Sequence, residues 1–141
     1  MSRVIYHGNI YGDFEGYDEN KLFKMDNGTY WIQAQYHYWY HYEYRPTATI
    51  SEENGQYILT VAGESIQVSP ISGVIESRIE GEFTGWDGES KYELVNGQVW
   101  EQATYKYVYK YAYRPEAIIY RSGGSYTMEV KGTKAKVQSI R

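Results

Sequence analysis

Tyrosine occupies every second position in two segments of this sequence, which contain Tyr36, Tyr38, Tyr40, Tyr42 and Tyr44, and Tyr105, Tyr107, Tyr109, Tyr111 and Tyr113. A phenol ring combines apolar area with a hydroxyl that needs a hydrogen-bond partner, so tyrosine suits a half-wet contact surface. At steps of two, a helix would scatter these rings around its axis, whereas a strand aligns them in a row about 26 Å long. The spacing therefore predicts two strands that each carry a row of tyrosines.

Three uses of these rows are open at the level of sequence. A small core has no room for five rings in line, so part of each row is expected outside it. The rows could pack on each other between the halves of the chain or across a homodimer, or form a groove for a protein or peptide partner. Bases or sugar rings could also stack on them, although stacking of bases usually needs a basic groove. The residues predicted to bind a partner are Tyr38, Trp39, Tyr40, Tyr42 and Arg45, with Tyr107, Tyr109, Tyr111 and Arg114 in the second segment.

The residues between the tyrosines differ in the two segments. His37, Trp39, His41 and Glu43 stand where the second segment has Lys106, Val108, Lys110 and Ala112. These mostly polar residues predict a solvated reverse face. Trp39 is then expected to be an exposed aromatic residue, explained either by tolerance of surface substitutions or by recognition specific to the first segment.

The sequence contains no convincing catalytic or metal-binding constellation. On a strand, His37 and His41 stand about 13 Å apart, too far to share one zinc ion at about 2.1 Å from each imidazole. The chain has no Cys, which excludes thiolate ligands and cysteine nucleophiles. Asp18 and Asp87 are the acidic residues kept at equivalent positions, and both fit turns. We therefore expect no enzyme, metal or cofactor, and keep a small carboxylate-dependent hydrolase as the less favoured alternative.

An internal duplication organises the chain. When residues 12–71 are aligned with residues 81–140, a shift of 69 positions makes 24 of 60 residues identical without a gap. The predicted repeats are 3–71 and 72–141, joined by the short stretch Ser69-Pro70-Ile71-Ser72-Gly73. We expect two separate but docked units, the alternative being one sheet that the two halves share.

Alternating apolar residues predict an all-β fold. The inward positions are expected to include Ile10, Gly12, Phe14, Gly16, Phe23, Met25, Tyr57, Leu59, Val61, Ile66 and Val68, and their equivalents 69 residues later. Asn27-Gly28 and Asn54-Gly55 are hairpin signals, and Gly63 marks a further turn. Arg45-Pro46 ends the tyrosine strand because proline lacks a ladder donor. About five strands per unit favour two small five-stranded barrels of the SH3-like kind.

A family resemblance supports this fold. The segment GEFTGWDG, followed by ELVNGQVWEQ, resembles small bacterial domains of SH3-like appearance that occur as appended or stand-alone modules without an assigned activity. The first repeat departs from that pattern, with Tyr17 for the tryptophan, Glu19 for a turn glycine and Thr29-Tyr30 for Gln-Val. The resemblance supports the fold and adds little about function, since the binding of peptides, other proteins or nucleic acids by SH3-like barrels in general is only an analogy.

Charge and composition narrow the partners. Lys and Arg number 14 against 18 Asp and Glu, a net charge of -4, which argues against generic binding to phosphate backbones or anionic membranes. The sequence has no apolar run of membrane-spanning length and no signal-peptide pattern at its start, so a cytoplasmic location is expected. Residues 1–72 carry 4 basic and 9 acidic side chains, and residues 73–141 carry 10 and 9. A nucleic-acid partner would therefore be expected on the second repeat, at Lys106, Lys110, Arg114 and Arg121.

Taken together, the sequence predicts a non-catalytic binding or scaffolding module that presents tyrosine-rich strands to a protein or peptide. Its alternative from another class is a nucleic-acid-binding module that combines stacking tyrosines with the basic residues of the second repeat.

Overall fold

The computed structural model describes residues 2–141, which form antiparallel strands joined by turns and irregular segments, without helices. The chain divides into two compact units at the junction of Ser72 and Gly73. Every sheet in the described range takes its strands from one unit alone. The alternative of a sheet shared between the halves is therefore wrong. The all-β fold class is as predicted.

The first unit has a six-stranded sheet and a two-stranded ribbon. The sheet has the order β1-β6-β7-β8-β4-β3, and the ribbon pairs β2 with β5. The strands are β1 (Ser2–Asn9), β2 (Asp13–Tyr17), β3 (Leu22–Lys24), β4 (Tyr30–Gln33), β5 (Trp39–Tyr44), β6 (Thr47–Glu53), β7 (Gln56–Val61) and β8 (Glu64–Ile71).

The second unit has the same arrangement of strands. Its sheet has the order β9-β14-β15-β16-β12-β11, and its ribbon pairs β10 with β13. The strands are β9 (Ile75–Arg78), β10 (Glu82–Asp87), β11 (Lys91–Glu93), β12 (Val99–Gln102), β13 (Tyr107–Tyr113), β14 (Glu116–Ser122), β15 (Ser125–Val130) and β16 (Thr133–Ser139). Each strand thus occupies the place in its sheet that its equivalent from the first unit occupies.

Eight strands per unit correct the prediction of about five. The stretch from Ile10 to Gly16 is not one strand, because the chain bends at Gly12, whose φ is +76°. The stretch Ser69-Pro70-Ile71, predicted as part of the joint, belongs to the end of β8 and pairs with β4.

The predicted turns all occur where expected. Asn27-Gly28 closes the loop between β3 and β4, and the Asn27 side chain accepts a hydrogen bond from the Thr29 amide at 3.0 Å. Asn54-Gly55 joins β6 to β7 with φ values of +53° and +78°, which suit the tight turn of a twisted hairpin. Ala62-Gly63 joins β7 to β8 in the same way. These turns set the register of the central hairpins.

Each unit has its own core between the ribbon and the six-stranded sheet. In the first unit, Phe14 and Tyr17 of the ribbon are buried against apolar residues of the sheet. The buried cluster comprises Ile10, Phe14, Tyr17, Phe23, Met25, Trp31, Ala48, Ile50, Leu59, Val61, Ile66 and Val68. In the second unit it comprises Ile79, Phe83, Trp86, Tyr92, Leu94, Trp100, Ala117, Ile119, Met128, Val130, Ala135 and Val137. Most of the inward positions predicted from alternation are therefore confirmed, but Gly12 and Tyr57 and their equivalents Gly81 and Tyr126 are only half-buried. The ribbon covers the core with one side and turns its other side to solvent.

Within residues 2–141, no helix of sufficient length and hydrophobicity to cross a membrane is found.

Candidate functional site

Both tyrosine rows lie on the solvent side of their ribbons. We call the two surfaces tyrosine face 1 (Tyr36, Tyr38, Tyr40, Tyr42 and Tyr44) and tyrosine face 2 (Tyr105, Tyr107, Tyr109, Tyr111 and Tyr113). The side chains are 55–68% exposed in face 1 and 51–79% exposed in face 2. Five large rings in a line are thus left open to solvent in each unit, away from its core.

The tyrosine strands are shorter than the spacing predicts. β5 begins at Trp39, so Tyr36 and Tyr38 precede it, and β13 begins at Tyr107, so Tyr105 precedes it. Three rings of face 1 and four rings of face 2 therefore stand on regular strand, and the remaining rings are held by the segments that lead into it.

A glycine determines how each ribbon closes. Gly16 pairs with Tyr40 at an irregularity of the ladder, and Gly85 pairs with Tyr109 at the equivalent place. Their φ values are +99° and +101°, a region that glycine alone adopts readily. Because the backbone turns at Gly16, both Phe14 and Tyr17 point into the core although they are three residues apart. The opposite strand keeps strict alternation, and its tyrosines stay on the outside.

Carboxylates of the neighbouring strand contact the tyrosines. The Tyr42 hydroxyl donates a hydrogen bond of 2.8 Å to Oδ1 of Asp13, and the Tyr111 hydroxyl donates one of 3.2 Å to Oε1 of Glu82. The hydrogen bond to Asp13 raises the pKa of Tyr42, and Glu15 adds a further negative charge. The pKa of Tyr111 is raised by partial desolvation and then by Glu82. Both phenols are thus held in the neutral, donating form.

Trp39 lies on the other side of β5 from the tyrosines. Its ring is half-buried, packs 5.1 Å from the ring centre of Tyr17 and stacks on His41 at 5.0 Å. The expectation of an exposed Trp39 is therefore wrong, because the reverse side of β5 faces the core. Val108 fills the equivalent position against the second core. Of the residues predicted to bind a partner, Trp39 is thus the one that the structure separates from the rings.

Arg45 and Arg114 lie just beyond the ends of the tyrosine strands. Their φ values are +49° and +48°, and their amides donate to the carbonyls of Gly12 and Gly81. The guanidinium of Arg114 lies 3.8 Å from the carboxylate of Glu80. Both arginines therefore close the ribbon at one end of a tyrosine face.

The histidines of β5 and of the segment before it have separate carboxylate partners. Nε2 of His37 lies 2.8 Å from Glu64, and Nε2 of His41 lies 3.1 Å from Glu43. Over residues 2–141, no group of three or more His, Cys, Asp or Glu side chains that could hold a metal is found. The two imidazoles thus engage different acids and do not converge.

The acidic residues considered for hydrolysis take part in turns. Asp87 accepts hydrogen bonds from the Glu89 amide at 2.8 Å and from the Ser90 hydroxyl at 2.9 Å, and these bonds lower the pKa of Asp87. Asp18 is used through its backbone, as described next. A carboxylate that is held ionised by its own turn is poorly suited to act as a general acid.

Two buried glutamines position the tyrosine segments. The sequence did not predict them as functional residues. The Gln33 amide donates to the carbonyls of Asp18 and Gln35, and its Oε1 accepts from the Asp18 amide at 3.1 Å. Gln102 donates to the carbonyls of Thr104 and Lys106. Each glutamine thereby ties the segment before a tyrosine strand to the rest of its unit. The available signal was their identity at equivalent positions of the two repeats.

Two of the basic residues proposed for nucleic-acid contact, Lys106 and Arg121, have partners away from the tyrosine rings, whereas Lys110 is exposed on β13 and Arg114 lies just beyond its end. Lys106 alternates with the tyrosines, and its ammonium group donates to the carbonyl of Lys134 at 2.6 Å. Arg121 lies over the Tyr126 ring of the six-stranded sheet. Strand β10, which borders tyrosine face 2, carries Glu82 and Asp87 and no Lys or Arg.

Comparison of the chain with models of protein families, with curated proteins and with solved structures finds no match. The function is therefore inferred from the two tyrosine faces themselves.

Proposed function

We propose that this chain is a non-catalytic binding module that uses its tyrosine faces to hold a protein or peptide partner. The observation that carries the proposal is the exposure of all ten ladder tyrosines, each more than half open to solvent. Contiguous exposed aromatic surface is costly in water and is typical of interaction sites. Tyrosine also supplies contact area with few rotatable bonds, so little conformational entropy is lost on binding.

Rigid support of the rings favours the same function. The ribbons that carry them are anchored on one side by core residues such as Phe14 and Phe83, and Gln33 and Gln102 hold the leading segments. A surface that is already ordered before binding has higher affinity because less conformational entropy is lost when the partner binds. The Tyr42 and Tyr111 hydroxyls already donate to carboxylates, and the hydroxyls of the other exposed rings could donate or accept hydrogen bonds that orient the partner.

A nucleic-acid partner is not favoured by the surroundings of the rings. Binding to a phosphate backbone needs cationic side chains beside the stacking surface. Strand β2 offers Asp13 and Glu15 next to face 1, and β10 offers Glu82 next to face 2, whereas Arg45 and Arg114 lie only at one end of each row. The proposal therefore keeps to protein and peptide partners.

The kinship of each unit with SH3-like barrels, in a bacterial cytoplasmic protein with a tandem repeat, is part of this proposal. It is supported by the segments GEFTGWDG and ELVNGQVWEQ and by the identity between the repeats. In each unit, a two-stranded ribbon packs on a six-stranded antiparallel sheet, and this arrangement is compatible with a small barrel.

The experiment is capture from a lysate of the source cells on the immobilised chain, with and without nuclease, at low and moderate salt. A chain with Tyr38→Ser and Tyr40→Ser is expected to lose the captured protein while its circular dichroism stays that of the parent. Tyr11→Ser is the matched control, since Tyr11 is 55% exposed but lies outside the rows. Capture that survives the double substitution would contradict the proposal, and material lost on nuclease treatment would indicate nucleic acid instead.

A further inference from the structure

The strands that carry the tyrosines have one free edge each. Within residues 2–141, β5 pairs with β2 alone, and β13 pairs with β10 alone. A strand with an unpaired edge presents a row of amide and carbonyl groups to which another extended chain can bond. The free edge of β5 is six residues long, which is sufficient for a short added strand.

The groups at this edge belong to the tyrosines. In an extended strand, the amide and carbonyl of alternate residues point to opposite edges. The amides of His37 and Arg45 donate towards the β2 side, to Asp18 and Gly12, and the carbonyl of Trp39 also faces Gly16. The amides and carbonyls of the odd-numbered residues of this segment therefore point to β2. It follows that Tyr40 and Tyr42 direct their amides and carbonyls to the free edge, while their rings stand on the outer face.

The outer face beside this edge is acidic in the first unit. Asp13 and Glu15 of β2 are exposed on the same side as the rings, and β2 and β5 contain no Lys or Arg. The pairing of Asp13 with Tyr44, and the hydrogen bond of Tyr42 to Asp13, place carboxylate charge against the tyrosine row. A cation that lies over a tyrosine ring is stabilised both by attraction to the ring face and by attraction to such carboxylates.

We propose that the free edge of β5 binds an extended basic peptide segment as an added antiparallel strand, with its Arg or Lys side chains lying across tyrosine face 1 towards Asp13 and Glu15. The proposal rests on the proposed function and names the chemistry of the partner. Strands in a sheet lie about 4.8 Å apart, so an added strand would stand about 10 Å from β2. A long cationic side chain crossing one ring covers that distance. Main-chain bonds would supply affinity, and the charges would supply selection.

The second unit offers a matched comparison. β13 has the same free edge, but Thr84 stands where β2 has Glu15, so face 2 has one carboxylate fewer at this position. The second unit also carries ten basic side chains, against four in the first. Face 1 should therefore bind a basic segment more tightly than face 2.

The first test uses the full chain, labelled with ¹⁵N, and two capped seven-residue peptides. One alternates arginine with threonine, and the other has glutamate in place of arginine. The arginine peptide is expected to shift the amide signals of Tyr40 and Tyr42 and to bind at least about tenfold more tightly than the glutamate peptide. Equal binding of the two peptides, or no binding of the arginine peptide at millimolar concentration, would overturn the proposal.

The second test examines the backbone. In an antiparallel addition, a residue whose amide bonds to a tyrosine of β5 also has its side chain on the outer face, which is the arginine side. N-methylation of the arginine residues should therefore weaken binding about tenfold or more, whereas N-methylation of the threonine residues should change it less than about twofold. Equal effects of the two methylation patterns would refute strand addition.

The third test separates this inference from the proposed function. Glu15→Thr, which places the residue of the second unit in the first, should weaken the arginine peptide about threefold, and Thr84→Glu should strengthen binding at β13. Tyr40→Ser should abolish binding at β5. Retention of peptide binding at β5 in Tyr40→Ser would contradict the proposed function itself. Two outcomes would overturn only the basic-strand proposal. One is binding that depends on the tyrosines but not on charge or N-methylation, and the other is a concentration-dependent dimer that blocks the peptide.

Discussion

Gly16 lies so close to the main chain of Trp39 that a β-carbon on Gly16 would overlap the Trp39 carbonyl oxygen. Gly85 and Val108 stand in the same relation in the second unit. The φ values of both glycines, +99° and +101°, are also strained for any residue with a side chain. Two independent constraints therefore demand glycine at the point where each ribbon passes over its core.

Gly16→Ala is therefore expected to destabilise the first unit by about 3 kcal/mol, because the strain in φ and the overlap with backbone add. Gly12→Ala is the control, since Gly12 also has a positive φ but has no atom within 4 Å of its β-carbon position. It should cost about 1 kcal/mol, the strain alone. The measurement is chemical denaturation followed by fluorescence and circular dichroism. Equal costs for the two substitutions would show that the contact with Trp39 does not matter.

The turns and most of the core could be predicted from the sequence because their signals are local. Asn54-Gly55 needs only its own φ values to define a hairpin, and Leu59 and Val61 repeat at the period of a strand. Strands without such a signal were missed. β4 is buried along nearly its whole length, so it shows no alternation, and β1 is mostly exposed.

The orientation of the tyrosine strand was harder to predict. Alternation shows that the tyrosines share one side, but not which side faces the core. That depends on contacts with Phe14 and Tyr17, which β2 brings to Trp39 across the ribbon. The roles of Gln33 and Gln102 were also out of reach, because their bonds join segments that are distant in the chain or irregular in structure. Such partners are known only once the fold is known.

Gln33→Leu should both destabilise the first unit and loosen its tyrosine face. The substitution removes the partner of the Asp18 amide and one of the two donors to the Asp18 carbonyl, at a cost of about 2 kcal/mol. Amide hydrogen exchange of residues 34–38 should accelerate, and the affinity of face 1 for its partner should fall. Gln56→Leu, at an exposed position of the β6–β7 hairpin, is the control and should change neither property. Unchanged exchange in Gln33→Leu would contradict the positioning role.

Alkaline pH should destabilise the chain through two buried phenols. Burial raises the pKa of Tyr17 and Tyr120 far above the ordinary value, and nearby carboxylates add to the shift. In the unfolded chain both lose their protons near pH 10. The unfolded state then binds fewer protons than the folded state. The contribution of these two tyrosines to stability is therefore constant below about pH 10 and falls above it, by up to about 1.4 kcal/mol per pH unit for each tyrosine.

Denaturant unfolding between pH 8 and pH 11.5 measures this dependence. Tyr17→Phe should flatten the slope of the first unit while lowering stability at pH 8 by about 1 kcal/mol, since the hydroxyl donates to the Glu64 carbonyl at 2.8 Å. A slope that Tyr17→Phe does not alter would assign the alkaline loss to other groups.

Asp13 should raise the pKa of the neighbouring Tyr42 more than Glu82 raises the pKa of the neighbouring Tyr111. The main cause of the raised Tyr42 pKa is the hydrogen bond to Asp13, whereas desolvation comes before Glu82 for Tyr111. Asp13→Asn should therefore bring the pKa of Tyr42 back towards its ordinary value, and Glu82→Gln should move that of Tyr111 less. Titration of ¹³Cζ-labelled tyrosine by NMR measures both. An equal or larger change at Tyr111 would contradict the hydrogen bond as the controlling interaction. Asp13→Asn removes one negative charge from face 1 and lets Tyr42 ionise at a lower pH. The negative charge of ionised Tyr42 should then restore part of the attraction of face 1 for a basic segment as the pH rises.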